Sequence, residues 1–247
     1  MGLQGGHGKG RGRVLTLSPH GPPPFKDLEV TNVPALELVD VADASQIKEA
    51  IKEGEAVVFT SKTGVRLVFE KLGDEALELL KGKDVVAIGP KTAAELEARG
   101  LSPIVPEEYH SGALAKLLKR YNKVVALRSD KASKTLKDEL GDKLIEVVIY
   151  KTLRRPSPKI VEAAREADAV AVSSAEVARA LIESFQKYSS IDELKKLKIA
   201  VIGPEAAKPL KELGLNFVVA PEATFEGLEE AVKRIIRGGP GESPEER

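Results

Sequence analysis

The segment EAVVFTSKTGVRLVFEKL, at residues 55–72, predicts a strand followed at once by a helix. Its first half, AVVF, is a continuous apolar run, which is typical of a strand buried on both faces of a parallel sheet. Its second half has apolar residues at i, i+3, i+4 and i+7, the spacing of one helix face: Val65, Val68, Phe69 and Leu72. Gly73 follows as a stop signal. The segment therefore predicts one strand–helix unit of an α/β fold.

Similar apolar runs recur along the chain and alternate with helical segments. The predicted strands are residues 13–17, 56–60, 84–88, 123–127, 144–150, 169–173, 198–202 and 216–219. Ser45 is expected to cap a first helix that ends before Gly54. This alternation favours the α/β class with parallel sheets.

The second half of the chain repeats the first half. DAVAVSSAEVARALIESF, at residues 168–185, aligns with residues 55–72, and two further pairs of segments align in the same order. Glycines coincide in those pairs: Gly89 with Gly203, Gly100 with Gly214, and Gly112 with Gly227. Three matches in order favour duplication over chance similarity, so two similar α/β lobes are expected.

Length and composition exclude several classes of protein. The 247 residues favour two domains over one. A formal net charge of +0 argues against a general binder of nucleic acid or membrane surfaces. The chain has no cysteine and only three histidines, which argues against disulfides, a metal site and thiol catalysis. No span or signal peptide is recognised, and with the missing cysteine this favours the cytoplasm.

Both termini are expected to be disordered. Residues 1–12 form a glycine-rich basic arm and residues 238–247 an acidic tail. A nucleic-acid tether is an alternative role for the arm. The composition, rich in lysine and glutamate, would suit a heat-adapted protein.

Candidate site residues follow the predicted strands, where open α/β sheets bind ligands. They are hydroxyl-bearing, glycine and basic residues at or near helix starts, whose free N–H groups suit carboxylates or phosphates: Ser61, Thr63, Gly89, Thr92, Arg128, Ser129, Ser173, Ser174 and Gly203. Each hydroxyl could instead be only a helix cap. No dinucleotide fingerprint or phosphate loop occurs, so a nucleotide cofactor is weakly disfavoured.

In order and spacing, the motifs resemble those of the uroporphyrinogen-III synthase family over about residues 14–236. The resemblance is carried by VVFTSKTGV, VVAIGPKTAAELEARGL, VPEEYHSGALAKLL, VVALRSD, VVIYKTLRR, VAVSSAEVARAL, VIGPEAAKPLKELGL and APEATFEGL. It implies two flavodoxin- or Rossmann-like lobes, one inserted into the other, formed by residues 13–36 with 153–237 and by residues 40–149. Two linker strands, at residues 33–40 and 147–155, would join the lobes and permit hinge closure.

The resemblance also implies a lyase that closes linear hydroxymethylbilane into uroporphyrinogen III, with loss of water and inversion of the last pyrrole ring. It implies no cofactor and no metal, hydroxymethylbilane synthase as the upstream enzyme, and neither nucleic acid nor membrane as partner. A monomer is expected.

The resemblance further implies roles for individual residues. Tyr150 matches the family's tyrosine at the linker, where its phenol would assist the departing hydroxyl. The hydroxyls that match family positions would bind carboxylates: Ser61, Thr63, Thr92 and Ser173. Arg128 would bind a carboxylate with both prongs of its guanidinium, or would instead have a helix-dipole or ordinary surface role.

Two segments depart from the family pattern. Ser18 stands where the family has an arginine, and residues 20–28, HGPPPFKDL, are too short and proline-rich for the usual helix. Three other arginines could supply the missing contact: Arg13, Arg154 and Arg155. Glu205 and Ala206 replace family hydroxyls, and Glu205 is expected to face solvent because it would repel an anionic substrate.

Two other classes of protein stay open at this point. A non-catalytic, two-lobed protein that binds small anions would use the same hinge. A nucleotide-dependent transferase or reductase is the second alternative, which the missing phosphate loop disfavours.

Overall fold

The computed structural model describes residues 10–238, which contain ten strands and eleven α-helices. The strands are β1 (Arg13–Thr16), β2 (Glu29–Asn32), β3 (Leu36–Asp40), β4 (Ala56–Phe59), β5 (Asp84–Ala87), β6 (Val124–Ser129), β7 (Leu144–Arg154), β8 (Ala169–Val172), β9 (Ile199–Val201) and β10 (Val218–Val219). The helices are α1 (Ala44–Glu53), α2 (Lys62–Leu72), α3 (Asp74–Lys81), α4 (Pro90–Glu97), α5 (Ser111–Leu118), α6 (Thr135–Leu140), α7 (Pro158–Glu166), α8 (Ala175–Tyr188), α9 (Ile191–Leu194), α10 (Pro204–Glu212) and α11 (Phe225–Ile236).

The strands form two five-stranded sheets, in the orders β10-β9-β8-β1-β2 and β3-β7-β6-β4-β5. In the first sheet β1 runs parallel to β2 and β8, and in the second β4 runs parallel to β5 and β6. β3 runs against its neighbour β7, because the Val41 N–H donates to the Ile149 carbonyl while the Arg155 N–H donates to that of Ala35. The predicted α/β class with parallel sheets is confirmed.

The chain divides into two compact units. The first unit takes the described residues up to Glu37 and from Leu153 onwards, and the second takes residues 38–152. The chain passes between the units within β3 and within β7. A hinge at these strands stays a prediction.

Helices cover both faces of the second sheet. Val57 and Phe59 of β4 belong to a hydrophobic cluster that includes residues of α2. Ala56 and Val58 belong to a second cluster, which includes residues of α5. All four side chains have 0% exposure. The strand is therefore apolar at every position, because each of its faces meets a helix layer.

The predicted repeat is visible in how corresponding helices begin and end. The hydroxyls of Ser61 and Ser174 cap α2 and α8, and each accepts the N–H three residues further on. After α4 and α10 the chain turns through glycines with positive φ, 86° at Gly100 and 64° at Gly214. Glycine is required at these turns because side chains disfavour that backbone region.

The first helix corrects one prediction. Asp43, not Ser45, is the N-cap of α1: its carboxylate accepts the Gln46 N–H at 3.3 Å, while Ser45 lies inside the helix and donates to the same carboxylate. Both residue types suit a cap, and the residue with extended backbone just before the first turn takes the position. The helix ends before Gly54 as predicted and buries its apolar face: Ile47, Ala50 and Ile51.

Residues 20–28 contain no helix, as their prolines predict. Instead, one carboxylate oxygen of Glu229 in α11 accepts the N–H groups of Lys26 and Asp27, at 2.8 and 2.7 Å. Glu229 is only 7% exposed. A side chain distant in sequence thus supplies the hydrogen bonds that this loop cannot make internally.

Parts of the predicted termini, residues 1–9 and 239–247, lie outside the described residues. At the end of the predicted arm, the Gly12 carbonyl accepts the Glu29 N–H at 2.9 Å. From residue 10 to residue 238, no helix has the length and apolar character needed to cross a membrane.

Candidate active site

The Tyr150 phenol and the Ser61 hydroxyl meet at the carboxyl edge of the second sheet, with 3.0 Å between their oxygens. Tyr150 is 7% exposed, and it belongs to the hydrophobic cluster that includes residues of α2, on one face of the sheet. Ser61 also accepts the Gly64 N–H at 3.0 Å. Two residues that the sequence separates widely therefore share one hydrogen-bonded pair.

A β-bulge in β7 directs the Tyr150 side chain. Arg128 of β6 pairs with Val148, but the next residue, Ser129, pairs with Tyr150, so Ile149 is an extra residue. Ile149 and Tyr150 consequently lie in the same core although side chains of consecutive strand residues normally alternate. Without the bulge the phenol would point away from Ser61.

The loop after β6 is fixed to β7 beside Tyr150. The Asp130 N–H donates to the Tyr150 carbonyl at 3.1 Å, and the Asp130 carboxylate accepts the Thr152 N–H at 3.0 Å. The Ser129 hydroxyl accepts the Lys131 N–H at 3.1 Å. Ser129 and Asp130 therefore hold the loop, and Asp130 fixes the backbone of β7 directly after the tyrosine.

Arg128 is placed inside the second unit and is only 2% exposed. Its guanidinium makes a two-pronged ion pair with Glu146 on β7 and donates to the Ser133 carbonyl at 2.9 Å. Because its donors are already occupied, Arg128 is better suited to linking β6, β7 and the following loop than to binding the carboxylate of a ligand.

The other predicted residues of this unit lie in the first turns of α2 and α4. Thr63 is half-buried, and Thr92 is buried at 5% exposure. Gly89 caps α4 with no side-chain hydrogen bond, and Pro90 follows it. This helix start is therefore not capped by a side chain of its own.

The predicted residues of the first unit lie in equivalent places. Ser174 caps α8, accepting the Val177 N–H at 3.1 Å, and Ser173 precedes it, half-buried. Gly203 caps α10, again without a side-chain bond. Ser173 lines a small hollow beside Thr16 and Ser18, at the carboxyl edge of that sheet.

Asn32 makes hydrogen bonds to two residues at this edge, Thr16 and Ser18. Its side-chain oxygen accepts the Thr16 hydroxyl at 2.8 Å and the Ser18 N–H at 3.0 Å, and its amide donates to the Ser18 carbonyl. Sequence reasoning missed Asn32, since an Asn at a strand end carries no distinctive signal.

Of the three arginines considered as substitutes for the missing contact, one begins a strand and two are ion-paired. Arg13 begins β1, at the opposite edge of the sheet. Arg154 forms ion pairs with Glu176 and Glu183. The hydrogen bond to Glu176 is the main cause of a raised pKa of the Arg154 guanidinium, and the charges of both carboxylates raise it further. Arg155 pairs with Glu37.

Glu205 is exposed and forms an ion pair with Lys208 at 2.8 Å, one helix turn further on. Its predicted orientation towards solvent is consistent with this placement. Ala206, the other departure, is buried in the core of its unit.

Exposed lysines follow both residues of the Tyr150–Ser61 pair along the chain. Lys62 follows Ser61, Lys151 follows Tyr150, and Lys131 lies in the loop between them. Within residues 10–238 none of the three makes an ion pair. The sequence indicated a partly basic edge, and the fold shows that these three lysines are exposed and have no acidic partner among the described residues.

Fold and site together define a two-unit α/β protein whose parallel sheets present hydroxyl groups, helix N-termini and lysines at their carboxyl edges. The sequence profile of the family described as uroporphyrinogen-III synthase HemD matches residues 26–230. The chain belongs to this family, an enzyme family of tetrapyrrole synthesis, which confirms the predicted resemblance. A non-catalytic anion-binding protein is accordingly not favoured.

Relatives and solved structures agree with this assignment. A protein of Archaeoglobus fulgidus provisionally named uroporphyrinogen-III synthase is 31% identical over 194 residues, 74% of this chain and 80% of that protein. A similarly named protein of Methanothermobacter thermautotrophicus is 29% identical, covering 79% and 84%. The Helicobacter pylori uroporphyrinogen-III synthetase structure has a TM-score of 0.66 at 18% identity, covering 91% of this chain and 99% of that one. A mutant Thermus thermophilus synthase structure gives 0.62 at 20% identity, covering 92% and 98%.

Proposed function

We propose that this chain converts hydroxymethylbilane into uroporphyrinogen III, as a lyase that releases water and inverts the last pyrrole ring. The observation that carries the proposal is the Tyr150 phenol on the Ser61 hydroxyl, at the carboxyl edge of a sheet in a chain of this family. The expected substrate is a flexible chain of four pyrroles with eight carboxylates, and hydroxymethylbilane synthase is the class of enzyme that would supply it.

The reaction needs orientation as much as acceleration. Water leaves the terminal hydroxymethyl carbon, and the resulting azafulvene cation is attacked by the substituted carbon of the last ring. That ring turns over through a spiro intermediate and becomes aromatic again as a proton leaves. Without guidance the chain closes unflipped to the type I isomer, so the site must hold the acetate and propionate arms in one posture.

Tyr150 would assist departure of the hydroxyl. Since Ser61 accepts the Gly64 N–H, its own proton is available to the Tyr150 oxygen, and the phenol proton is then directed to the leaving group. Tyrosine phenols ordinarily carry their proton at neutral pH. The proton released when the last ring becomes aromatic again restores the phenol, so the step balances.

Each unit offers groups that would bind carboxylate arms of the substrate. In the second unit, Thr63 and the uncapped start of α4 at Gly89 offer a hydroxyl and N–H groups. In the first unit, Ser173 and the start of α10 at Gly203 offer the same chemistry. Each N–H contact with an anion contributes about 0.3 to 1 kcal/mol at an exposed site, so several are needed for a polyanion.

The test is incubation with freshly prepared hydroxymethylbilane, followed by chromatographic analysis of the porphyrin isomers after oxidation. The type III isomer is expected, formed faster than the spontaneous reaction. Type I product alone, at the spontaneous rate, would reject the proposal. Tight binding of the substrate with no acceleration would instead support the anion-binding alternative.

A further inference from the structure

Tyr109 places an exposed aromatic ring at the carboxyl edge of the second sheet. Its side chain is 62% exposed, the highest value among the large apolar side chains of residues 10–238 that lie on the surface. It lies over the cap of α4: a Cβ atom added to Gly89 would be 3.4 Å from the Tyr109 Cβ and 3.5 Å from its Cγ. One side of the residue therefore rests on the helix start while much of the ring faces solvent.

The strand register brings this ring to the same edge as the Tyr150–Ser61 pair. Phe59 at the end of β4 lies opposite Ala87 at the end of β5, and the Ile88 N–H extends the pairing to the Phe59 carbonyl at 3.1 Å. Ser61 lies two residues after the end of β4, and Gly89 lies two residues after the end of β5. The two residues therefore occupy equivalent positions after adjacent strands. Adjacent strands are about 4.8 Å apart, which makes Gly89 a neighbour of the proposed site.

The backbone around Tyr109 is held in place by the residue that follows it. His110 caps α5: its Nδ1 accepts the Ala113 N–H at 3.2 Å, and its Nε2 lies 2.7 Å from the Glu108 carboxylate. The tautomer is thereby defined, with the proton on Nε2. In the described chain the Tyr109 phenol itself makes no hydrogen bond. The loop backbone is thus held by hydrogen bonds, whereas the Tyr109 phenol has no hydrogen-bond partner among the described residues.

We propose that Tyr109 binds one pyrrole ring of the substrate face to face, a contact that rests on the proposed function. The substrate's pyrroles are flat and aromatic, so a tyrosine ring can stack on them wherever the carboxylate arms are held. Stacking restricts rotation of one ring without contacting the reacting carbon. Tyr109 is therefore a binding residue that limits the postures of the flexible chain, and it affects KM and the choice of isomer more than kcat.

The experiment measures KM, kcat and the ratio of type III to type I product for four Tyr109 forms: the wild type and the Phe, Leu and Ala variants. Tyr109→Ala is expected to raise KM about tenfold, as loss of one stacking contact does in other aromatic ligands. Tyr109→Phe keeps the ring and should stay within about twofold of the wild type. Tyr109→Leu keeps apolar area without a flat face and should resemble the Ala variant, with more type I product.

Tyr188, 41% exposed at the end of α8, provides the matched control, since Tyr188→Ala removes an exposed tyrosine away from the carboxyl edges. It should leave KM and the isomer ratio unchanged. An active wild type with an unaltered KM in Tyr109→Ala overturns the proposal for Tyr109 alone, and so does a Leu variant equal to the Phe variant. A wild type that yields only type I product refutes the proposed function itself. If the Ala variant does not fold, the Phe and Leu pair decides.

Discussion

The ring and the hydroxyl of Tyr150 serve different purposes and can be separated by mutation. The ring fills the core beside Val147 and Ile149, whereas the hydroxyl reaches Ser61. A phenylalanine would keep the packing and remove only the polar contact. The residue is therefore well suited to testing catalysis apart from stability.

Tyr150→Phe is expected to lower kcat about ten- to a hundredfold, at or below the low end of what a general acid contributes, because the leaving hydroxyl loses its donor. KM should stay within about twofold of the wild type, since the variant leaves the proposed carboxylate contacts unchanged. Steady-state kinetics with isomer analysis measures both quantities.

Tyr121→Phe is the matched control. The Tyr121 phenol donates to Asp84 at 2.7 Å, at the opposite edge of the same sheet. Its loss should reduce stability by about 1 kcal/mol and leave turnover unchanged. Unaltered turnover in Tyr150→Phe would remove Tyr150 from the mechanism.

At the scale of elements, the attachment of the loop at residues 20–28 to α11 depends on Glu229. Glu229→Ala would leave the N–H groups of Lys26 and Asp27 without their charged acceptor, so the free energy of unfolding should fall by about 2 kcal/mol. Denaturant unfolding measures this change. Glu230→Ala, which alters the exposed neighbour on the same helix, should change it by less than about 0.5 kcal/mol. Equal effects of the two variants would contradict the assigned role.

The start of α9 carries a pH-dependent contact. Hydrogen bonds from Arg165 and then from Ser189 lower the pKa of Glu193 from 4.5 to about 2. Since the folded pKa is the lower one, the stabilisation is fully present above about pH 4.5 and is lost as the pH falls towards 2. The melting temperature of Glu193→Gln should therefore lie below that of the wild type at neutral pH and converge with it in acid.

Asp192→Asn removes one charge from the same helix and controls for net charge in that comparison. A Tm difference between Glu193→Gln and the wild type that stays constant from neutral pH to about pH 2 would contradict the assignment.

At the scale of the whole molecule, 38 basic and 38 acidic residues cancel, so any attraction of a polyanion must be local. Lys62, Lys131 and Lys151 supply that local field beside the proposed site. Lys62→Glu should lower kcat/KM about tenfold at low ionic strength, and the loss should shrink as salt screens the charges. Kinetics across a salt series measures this dependence.

Lys195→Glu makes the same charge change in the other unit, at the C-cap of α9, where the lysine Nζ lies 3.9 Å from the Asp192 carboxylate. It should leave kcat/KM and its salt dependence unaltered. If kcat/KM of the two variants depends on salt in the same way, net charge alone explains the effect, and the proposed local field is contradicted.

The α/β class, most strands and the starts of some helices could be predicted from the sequence because their causes are local in the chain. Apolar runs such as that of β4 require burial on both faces, and a serine with extended backbone captures the N–H three residues on. Such reasoning cannot choose between Asp43 and Ser45 as the N-cap of α1, because both residue types can cap a helix and they lie two residues apart.

Sequence alone thus determined two repeated α/β units with parallel sheets, and it selected Tyr150 and Ser61 as candidates through motif and resemblance. Only the tertiary structure decided that Ile149 is the extra residue of a bulge, that Tyr150 consequently reaches Ser61, and that Arg128 is occupied by Glu146. The reason is physical: strand register and ion-pair choice depend on contacts between segments remote in the chain, and these have no counterpart in local periodicity.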